Sequence, residues 1–137
     1  MVQPKPDPLG CGMDRGVDME KVNLDEKLAL FSEHWSPRVV GELNGQHVKL
    51  AKVEGEFVWH HHETEDELFL VLRGALAIHL RDRVIDLNEG EFFIVPRGVE
   101  HKPVAQRETH VLLLEPVSTL NTGNVRNERT VDAPAHI

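Results

Sequence analysis

The chain has 137 residues, one cysteine and a formal net charge of −8, from 15 Lys and Arg against 23 Asp and Glu. The length suits one compact domain, and the acidic balance is opposite to the basic patch that a nucleic-acid surface needs. No apolar run approaches the roughly 20 residues of a membrane span. Cys11 cannot form an intrachain disulfide, and no signal-peptide pattern is present, so we expect a cytoplasmic protein.

The first part of the chain predicts an arm followed by a short helix. Residues 1–18 are rich in Pro and Gly and lack apolar periodicity, which predicts a flexible arm. A capping-box pattern begins at Asn23, and apolar residues then recur at helical spacing. We therefore expect a short helix from about Leu24 to His34, and Pro37 bars its continuation.

After Pro37 the apolar period changes to two, which predicts strands. Asn44-Gly45 is a strong hairpin signal for a type I′ turn. The short strands and their regular turns predict an all-β sandwich or barrel within a domain of residues 19–120, and the polar residues 121–137 predict a C-terminal tail. The predicted strands are Arg38 to Leu43, Gln46 to Val53, Phe57 to His62, Glu67 to Leu72, Ala75 to Leu80, Val84 to Leu87, Glu91 to Val95, His101 to Val104 and Thr109 to Glu115.

Two runs of the sequence contain the candidate chemistry. In the first run, His60 and His62 stand two residues apart and Glu67 follows; in the second, His101 follows a Pro-x-Gly turn. Side chains two apart on a strand point to the same face, so His60 and His62 can direct two imidazoles at one point. A carboxylate and a third imidazole from neighbouring strands would complete a site for a divalent metal ion.

The two runs resemble the paired motifs of the cupin superfamily, over about Arg38 to Pro116. The first motif, G-x5-H-x-H-x3or4-E-x6-G, is matched, with one residue fewer after the first glycine, by Gly55, His60, His62, Glu67 and Gly74. The second motif, G-x5-P-x-G-x2-H-x3-N, is matched by Gly90, Pro96, Gly98 and His101, with Ala105 in place of the final Asn.

The resemblance implies a double-stranded β-helix, or jelly-roll barrel, as the fold. It implies that the ligands of a divalent ion are His60, His62, Glu67 and His101. This ligand set suits iron, manganese, nickel, zinc or copper. The chain is most similar in pattern to small single-domain bacterial cupins, including those described as mannose-6-phosphate-isomerase-like.

Two functions remain open at this level. The first is a small metalloenzyme of isomerase, lyase or dioxygenase type that acts on a compact polar metabolite. The second is a non-catalytic cupin that binds or senses a small ligand. A fold shared by so many activities does not select between them.

Several other residues have plain structural interpretations. His61 should face away from the site, and Glu63, Glu65 and Asp66 predict a solvated turn, although one of them could instead orient a ligand imidazole. The apolar residues of Leu24 to Val40 predict a homodimer interface, and the alternative is that this segment folds back on its own barrel.

Overall fold

The computed structural model describes residues 19–137, and the predicted arm, with Cys11, lies outside the described residues. The described part is all-β with one short helix, as predicted, and that helix lacks the length and apolarity of a membrane crossing. The elements are α1 (Leu24–Leu28), β1 (Arg38–Leu43), β2 (Gln46–Glu56), β3 (Glu67–Arg73), β4 (Ala75–Leu80), β5 (Val84–Asn88), β6 (Phe92–Val95) and β7 (His101–Pro116).

The long strand β7 is the branch point of a seven-stranded antiparallel sheet. The main path has the order β1-β2-β7-β3-β6, and off this path β7 pairs with β4, which pairs with β5. β7 pairs with β4 from His101 to Val104, with β2 at Val104 and Ala105 and again from Thr109, and with β3 from His110. Because β7 belongs to both branches, the sheet closes into the jelly roll that the cupin resemblance implies.

Alternation along the strands places the core. On β3, Glu67, Phe69 and Val71 are buried while their neighbours are half-buried, so the first set points into the barrel. On β7 the residues Val111 and Leu113 point inward in the same way. The interior is therefore apolar except where a motif residue stands at an inward position.

The hairpin between β1 and β2 has the predicted geometry. Asn44 and Gly45 have φ values of 50° and 74°, as a type I′ turn requires at both central positions. The turn sets the register in which Leu43 pairs with Gln46.

The helix is shorter than predicted. It begins with the predicted cap, in which Asn23 Oδ1 accepts a hydrogen bond from Glu26 N at 3.0 Å, but it ends at Leu28 rather than near His34. So short a helix has little stability of its own, and packing decides where it ends. The chain turns so that Leu28 and Phe31 bury against Leu50 on the outside of the barrel.

Two strand predictions differ from the structure. Residues 57–62 do not form a regular strand, because β2 ends at Glu56. The chain then contacts β7 at separate points: Phe57 N donates to Pro103 O at 2.9 Å, and His60 pairs with His101 in a bridge. The two strands predicted at His101 to Val104 and Thr109 to Glu115 are one continuous strand, β7.

The predicted C-terminal tail has specific contacts. Val39 N donates a hydrogen bond to Ala135 O at 2.8 Å, and Ile137 N donates to Val39 O at 3.0 Å. Residues 135–137 therefore run beside β1.

Candidate metal centre

A short bridge sets His60 beside His101. His60 N donates to His101 O at 3.1 Å, and His101 N donates to His60 O at 2.9 Å. This pair of hydrogen bonds brings the two imidazoles together, with ring centroids 4.3 Å apart. The first histidine of one motif thus meets the histidine of the other.

His62 and Glu67 complete a group of four. His62 is held by its carbonyl, which accepts a hydrogen bond from Gly98 N at 2.7 Å, and Glu67 begins β3 opposite Val95 of β6. The structure thereby brings together all four predicted site residues, which we call the His–Glu cluster: His60, His62, Glu67 and His101. All four are buried, and one possible ligand atom from each lies within 4.8 Å of the others.

Backbone carbonyls set the tautomers of two imidazoles. His60 Nδ1 lies 2.9 Å from Val58 O, and His101 Nδ1 lies 2.9 Å from Val99 O. Because a carbonyl can only accept, each Nδ1 carries the proton and donates. Each Nε2 therefore keeps its lone pair for the centre of the cluster, as a metal-binding imidazole needs.

Three buried atoms of the cluster lack hydrogen-bond partners among the described residues: His62 Nε2, Glu67 Oε1 and His101 Nε2. Glu67 Oε1 lies 3.2 Å from His62 Nε2 and 3.4 Å from His101 Nε2. One ion with bonds of about 2.0–2.2 Å separates neighbouring ligand atoms by roughly 3 Å. The cluster therefore has the donors and the dimensions to hold a metal ion.

The electrostatics keep the ligands in a metal-binding form. Burial lowers the pKa of His60 to about 4, and the charge of His101 makes the next largest contribution. This imidazole is therefore neutral at neutral pH. Burial would raise the pKa of Glu67, but the neighbouring side chains of Glu115, His101 and His62 outweigh it and hold that pKa well below its usual value. Glu67 is therefore an anion.

A buried ion pair, which the sequence analysis did not identify, stands behind Glu67. Lys49 Nζ lies 2.8 Å from Glu115 Oε1, and the two side chains are only 2% and 1% exposed. Burial and the negative charge of Glu67 raise the pKa of Glu115 well above its usual value.

Strand parity is the sequence signal that could have indicated this pair. On β2, Lys49 lies two residues from the inward Ala51, and on β7, Glu115 lies two residues from the inward Leu113, so both side chains point inward. A lysine and a glutamate at inward positions are costly unless they are paired.

A cavity of about 50 Å³ lies against the cluster. Its polar lining comes from His60, Glu67, Glu115 and Asn121, and the remainder is apolar. The ring of Phe69 lines it, and the stacked rings of Trp35 and Phe57 line it as well. A cavity of this size accepts only a small molecule, and its apolar walls exclude most water.

His61 and the acidic residues between His62 and Glu67 make their contacts away from the cluster. His61 Nε2 lies 2.7 Å from Glu63 Oε1, and Arg97 N donates to Asp66 Oδ1 at 2.9 Å. Ser118 Oγ donates to Glu65 Oε2 at 2.8 Å. These contacts favour the interpretation of the acidic segment as a solvated turn.

The C-terminal segment, residues 121–137, contacts residues 60–62, which we call the histidine segment, and acts as a clamp on it. Asn124 N donates to His61 O at 3.1 Å, and His61 N donates to Asn124 Oδ1 at 2.9 Å. Gly123 has a φ of 56°, and a Cβ there would lie 2.2 Å from His61 O. The close approach requires glycine, so residues from the predicted tail help to position His60 and His62.

Comparisons with known proteins agree with this architecture. The family model described as "Cupin domain" matches residues 46–116. The protein YdbB of Bacillus subtilis (strain 168) is 36% identical over 93 residues, which cover 67% of this chain and 76% of YdbB.

Two crystal structures are similar in sequence as well as in fold. A cupin-2 domain containing protein from Shewanella frigidimarina is 50% identical, with a TM-score of 0.69 over 69% of this chain and 93% of that one. A protein from Neisseria meningitidis is 30% identical, with a TM-score of 0.66 over 71% of this chain and 99% of that one.

Proposed function

The chain belongs to the cupin domain family, and on that premise we propose that its His–Glu cluster binds one divalent metal ion. The observation that carries the proposal is the set of buried, unpartnered atoms that face one another in the cluster. A buried polar atom without a partner costs roughly 1–3 kcal/mol, and an ion shared by the four residues would remove that cost. The donor set suits iron, manganese, nickel, zinc or copper.

We infer further that the protein is a small metalloenzyme of isomerase, lyase or dioxygenase type, and that its substrate is a compact polar metabolite. When bound, the ion supplies Lewis-acid or redox chemistry at the cavity. The chain's own contribution is a small apolar chamber that orients the substrate and excludes water. Glu115 adds a carboxyl group to that chamber, next to Glu67, where it can hold a proton.

A second candidate function, small-ligand binding without catalysis, is favoured by one observation. Most of the cavity lining is apolar, with few polar groups besides the cluster itself. Such a chamber suits a protein that sequesters or senses a ligand. The carboxyl of Glu115 in the cavity favours the enzyme.

Metal analysis tests the metal site. Protein purified without added metal should contain about one divalent ion per chain by elemental analysis. His101→Ala should lose most of that metal, whereas His61→Ala, at the neighbouring histidine that faces away from the cluster, should keep it. Equal metal content in the two variants would rule out the His–Glu cluster as the site.

An activity screen then separates the two functions. Oxygen uptake with diketones and thiols should be detectable in the metal-loaded protein and absent in His101→Ala if the enzyme is of the dioxygenase type. Saturable binding of a small molecule, with no turnover by this or by isomerase and lyase assays, would instead support the ligand-binding function.

A further inference from the structure

Arg129 lies beside the cavity, and its side chain has no ion pair or hydrogen bond with the described residues. Its guanidinium carbon lies 5.5 Å from the centre of the Trp35 ring and 5.9 Å from that of the Phe57 ring, and both rings line the cavity. Its Nη1 atom is buried and has no hydrogen-bond partner among residues 19–137. A cation at the edge of the cavity therefore has a donor to spare.

Arg129 differs from the other seven described arginines: Arg73, Arg83 and Arg107 also lack an ion pair, but only Arg129 has a buried nitrogen without a hydrogen-bond partner. Each of four arginines is paired with a carboxylate: Arg38 with Glu33, Arg81 with Glu100, Arg97 with Asp66, and Arg126 with Asp132. In a chain of net charge −8, carboxylates are abundant, yet none of the described ones forms an ion pair with Arg129. A buried guanidinium nitrogen that is left unpaired is costly, which points to a partner from outside the chain.

The backbone around Arg129 is held firmly. Asn121 Nδ2 donates to Arg129 O at 2.8 Å, and Arg129 N donates to Asn127 Oδ1 at 2.8 Å. Asn121 itself lines the cavity, so the turn that presents the arginine is anchored to the cavity wall. The position of the side chain is therefore built into the fold rather than left to a free terminus.

Trp35 gives a second, independent observation at the same place. It has a φ of 60°, a backbone conformation that a bulky residue rarely adopts and that costs about 1–3 kcal/mol. Two hydrogen bonds hold it there, from Trp35 N to Lys52 O at 2.8 Å and from Trp35 Nε1 to Glu54 O at 2.9 Å. Strain of this kind concentrates at ligand sites, and here it holds an aromatic ring that lines the cavity and also contacts Arg129.

We propose that Arg129 binds the carboxylate of the small molecule that occupies the cavity, with the rest of that molecule directed toward His60 and Glu67. A planar guanidinium matches a planar carboxylate, with two parallel hydrogen bonds. The cavity, at about 50 Å³, holds roughly four water-sized groups, so the ligand is a carboxylate of only a few carbon atoms. This deepens the proposed function by naming the substrate class, but the binding of a carboxylate at Arg129 does not itself require the metal.

Fluorescence of Trp35 provides the test. The chain has two tryptophans, so Trp59→Phe leaves Trp35 as the reporter beside Arg129. The full chain, as purified and after treatment with a chelator, is titrated with malonate, succinate and pyruvate. Malonamide serves as the neutral control, and inorganic phosphate serves as the other anion.

At least one of the three carboxylates should give a saturable change in both forms of the protein, and malonamide should give none. Arg129→Met should weaken that binding about tenfold or more, as the loss of a charge-assisted pair does, whereas Arg129→Lys should weaken it less. Arg126→Met is the matched control, because Arg126 lies in the same segment but is exposed and already paired with Asp132, and it should change nothing.

Three results would overturn the proposal: no response to any of the carboxylates, equal binding by Arg129→Met, or tighter binding of phosphate than of every carboxylate. Thermal unfolding of each variant identifies a fold defect, and in that case Arg129→Lys and the malonamide control decide the question. Metal content is measured on the same samples. If the protein as purified contains no metal but binds a carboxylate, the metal site alone is contradicted; if it contains metal but binds no carboxylate, the role of Arg129 alone is contradicted.

Discussion

Lys49 Nζ lies 2.8 Å from Glu115 Oε1 inside the barrel, and neither side chain is more than 2% exposed. The ammonium group offsets a carboxyl that itself adjoins Glu67 of the His–Glu cluster. Replacing such a pair with apolar residues is often nearly neutral, so its position behind a site residue suggests that it supports Glu67 rather than the fold alone.

Removing the lysine alone should be severe. Lys49→Met should lower the free energy of unfolding by about 3–5 kcal/mol, because it leaves Glu115 buried without its cation. The double variant Lys49→Met/Glu115→Leu should recover part of that loss. Urea unfolding measures both values, and Lys102→Met is the control, since its pair with the exposed Glu56 is worth about 0–1 kcal/mol. Equal, small losses for Lys49→Met and Lys102→Met would contradict the prediction.

Metal should stabilise the folded chain through the His–Glu cluster. Zinc at about one hundred times its dissociation constant should raise the free energy of unfolding by about 2.7 kcal/mol, because an ion that binds only the folded state stabilises it by mass action. Thermal unfolding with and without zinc measures the shift. The His101→Ala variant should show little of it, and a full shift in that variant would place zinc elsewhere.

Gly123 should be intolerant of a side chain. Gly123→Ala places a Cβ 2.2 Å from His61 O and 3.1 Å from the His60 ring, so it should displace the histidine segment and reduce metal content as well as stability. Gly90→Ala is the control, since Gly90 also has a positive φ, 84°, but open space around its Cβ position. The control should lose only about 1–2 kcal/mol from backbone strain. A loss of metal in both variants would show that the clamp is not the cause.

The metal-free protein should lose stability in mild acid. His60 has a folded-state pKa of about 4, while in the unfolded chain it takes up a proton near 6.5. The unfolded state therefore binds more protons between these two values, so stability is complete above about pH 6.5 and falls as the pH drops toward 4, by up to about 3 kcal/mol.

Urea unfolding of chelator-treated protein at pH 7.5 and pH 4.5 measures this loss. His60→Gln, compared in the same metal-free state, should show a smaller difference between the two pH values. An equal difference in both proteins would assign the acid sensitivity to other groups.

The homodimer stays a prediction, but in the structure the chain's own barrel covers most apolar residues of the predicted segment, Leu24 to Val40. Leu28 and Phe31 pack against their own barrel, which leaves Leu30 as the large exposed residue of that helix region. On the edge strand β6, Phe92 and Ile94 are 59% and 48% exposed. They continue two apolar rows that cross β3 and β7, Phe92 with Leu70 and Leu112, and Ile94 with Leu68 and Leu114.

We expect a second copy of the chain to cover these rows. Light scattering at micromolar concentration should give a dimer for the parent protein, a monomer for Phe92→Glu, and a dimer for Leu30→Glu. A monomeric parent protein would contradict the dimer. If Leu30→Glu is monomeric and Phe92→Glu is dimeric, the interface includes Leu30 rather than β6.

Much of this protein could be predicted from local sequence. The bounds of β1 and β4 and the Asn44-Gly45 turn follow from alternation and from the positive φ that the turn requires. The four residues of the His–Glu cluster could be named as well, because the resemblance to the two cupin motifs marks them in the sequence. These are short-range patterns, and a strand's own period determines which side chains share a face.

The rest was decided by contacts between distant parts of the chain. Parity shows that Lys49 and Glu115 point inward, but only the pairing of β2 with β7 brings them together across 66 positions. The end of α1 and the course of residues 57–62 were likewise set by packing rather than by local preference.

The C-terminal segment is the clearest case, because its composition predicts a tail. In the structure it supplies Gly123 to the histidine segment and Arg129 to the edge of the cavity. A polar segment has no periodicity from which its docking can be predicted, and its place depends on hydrogen bonds to backbone groups that exist only once the barrel has formed.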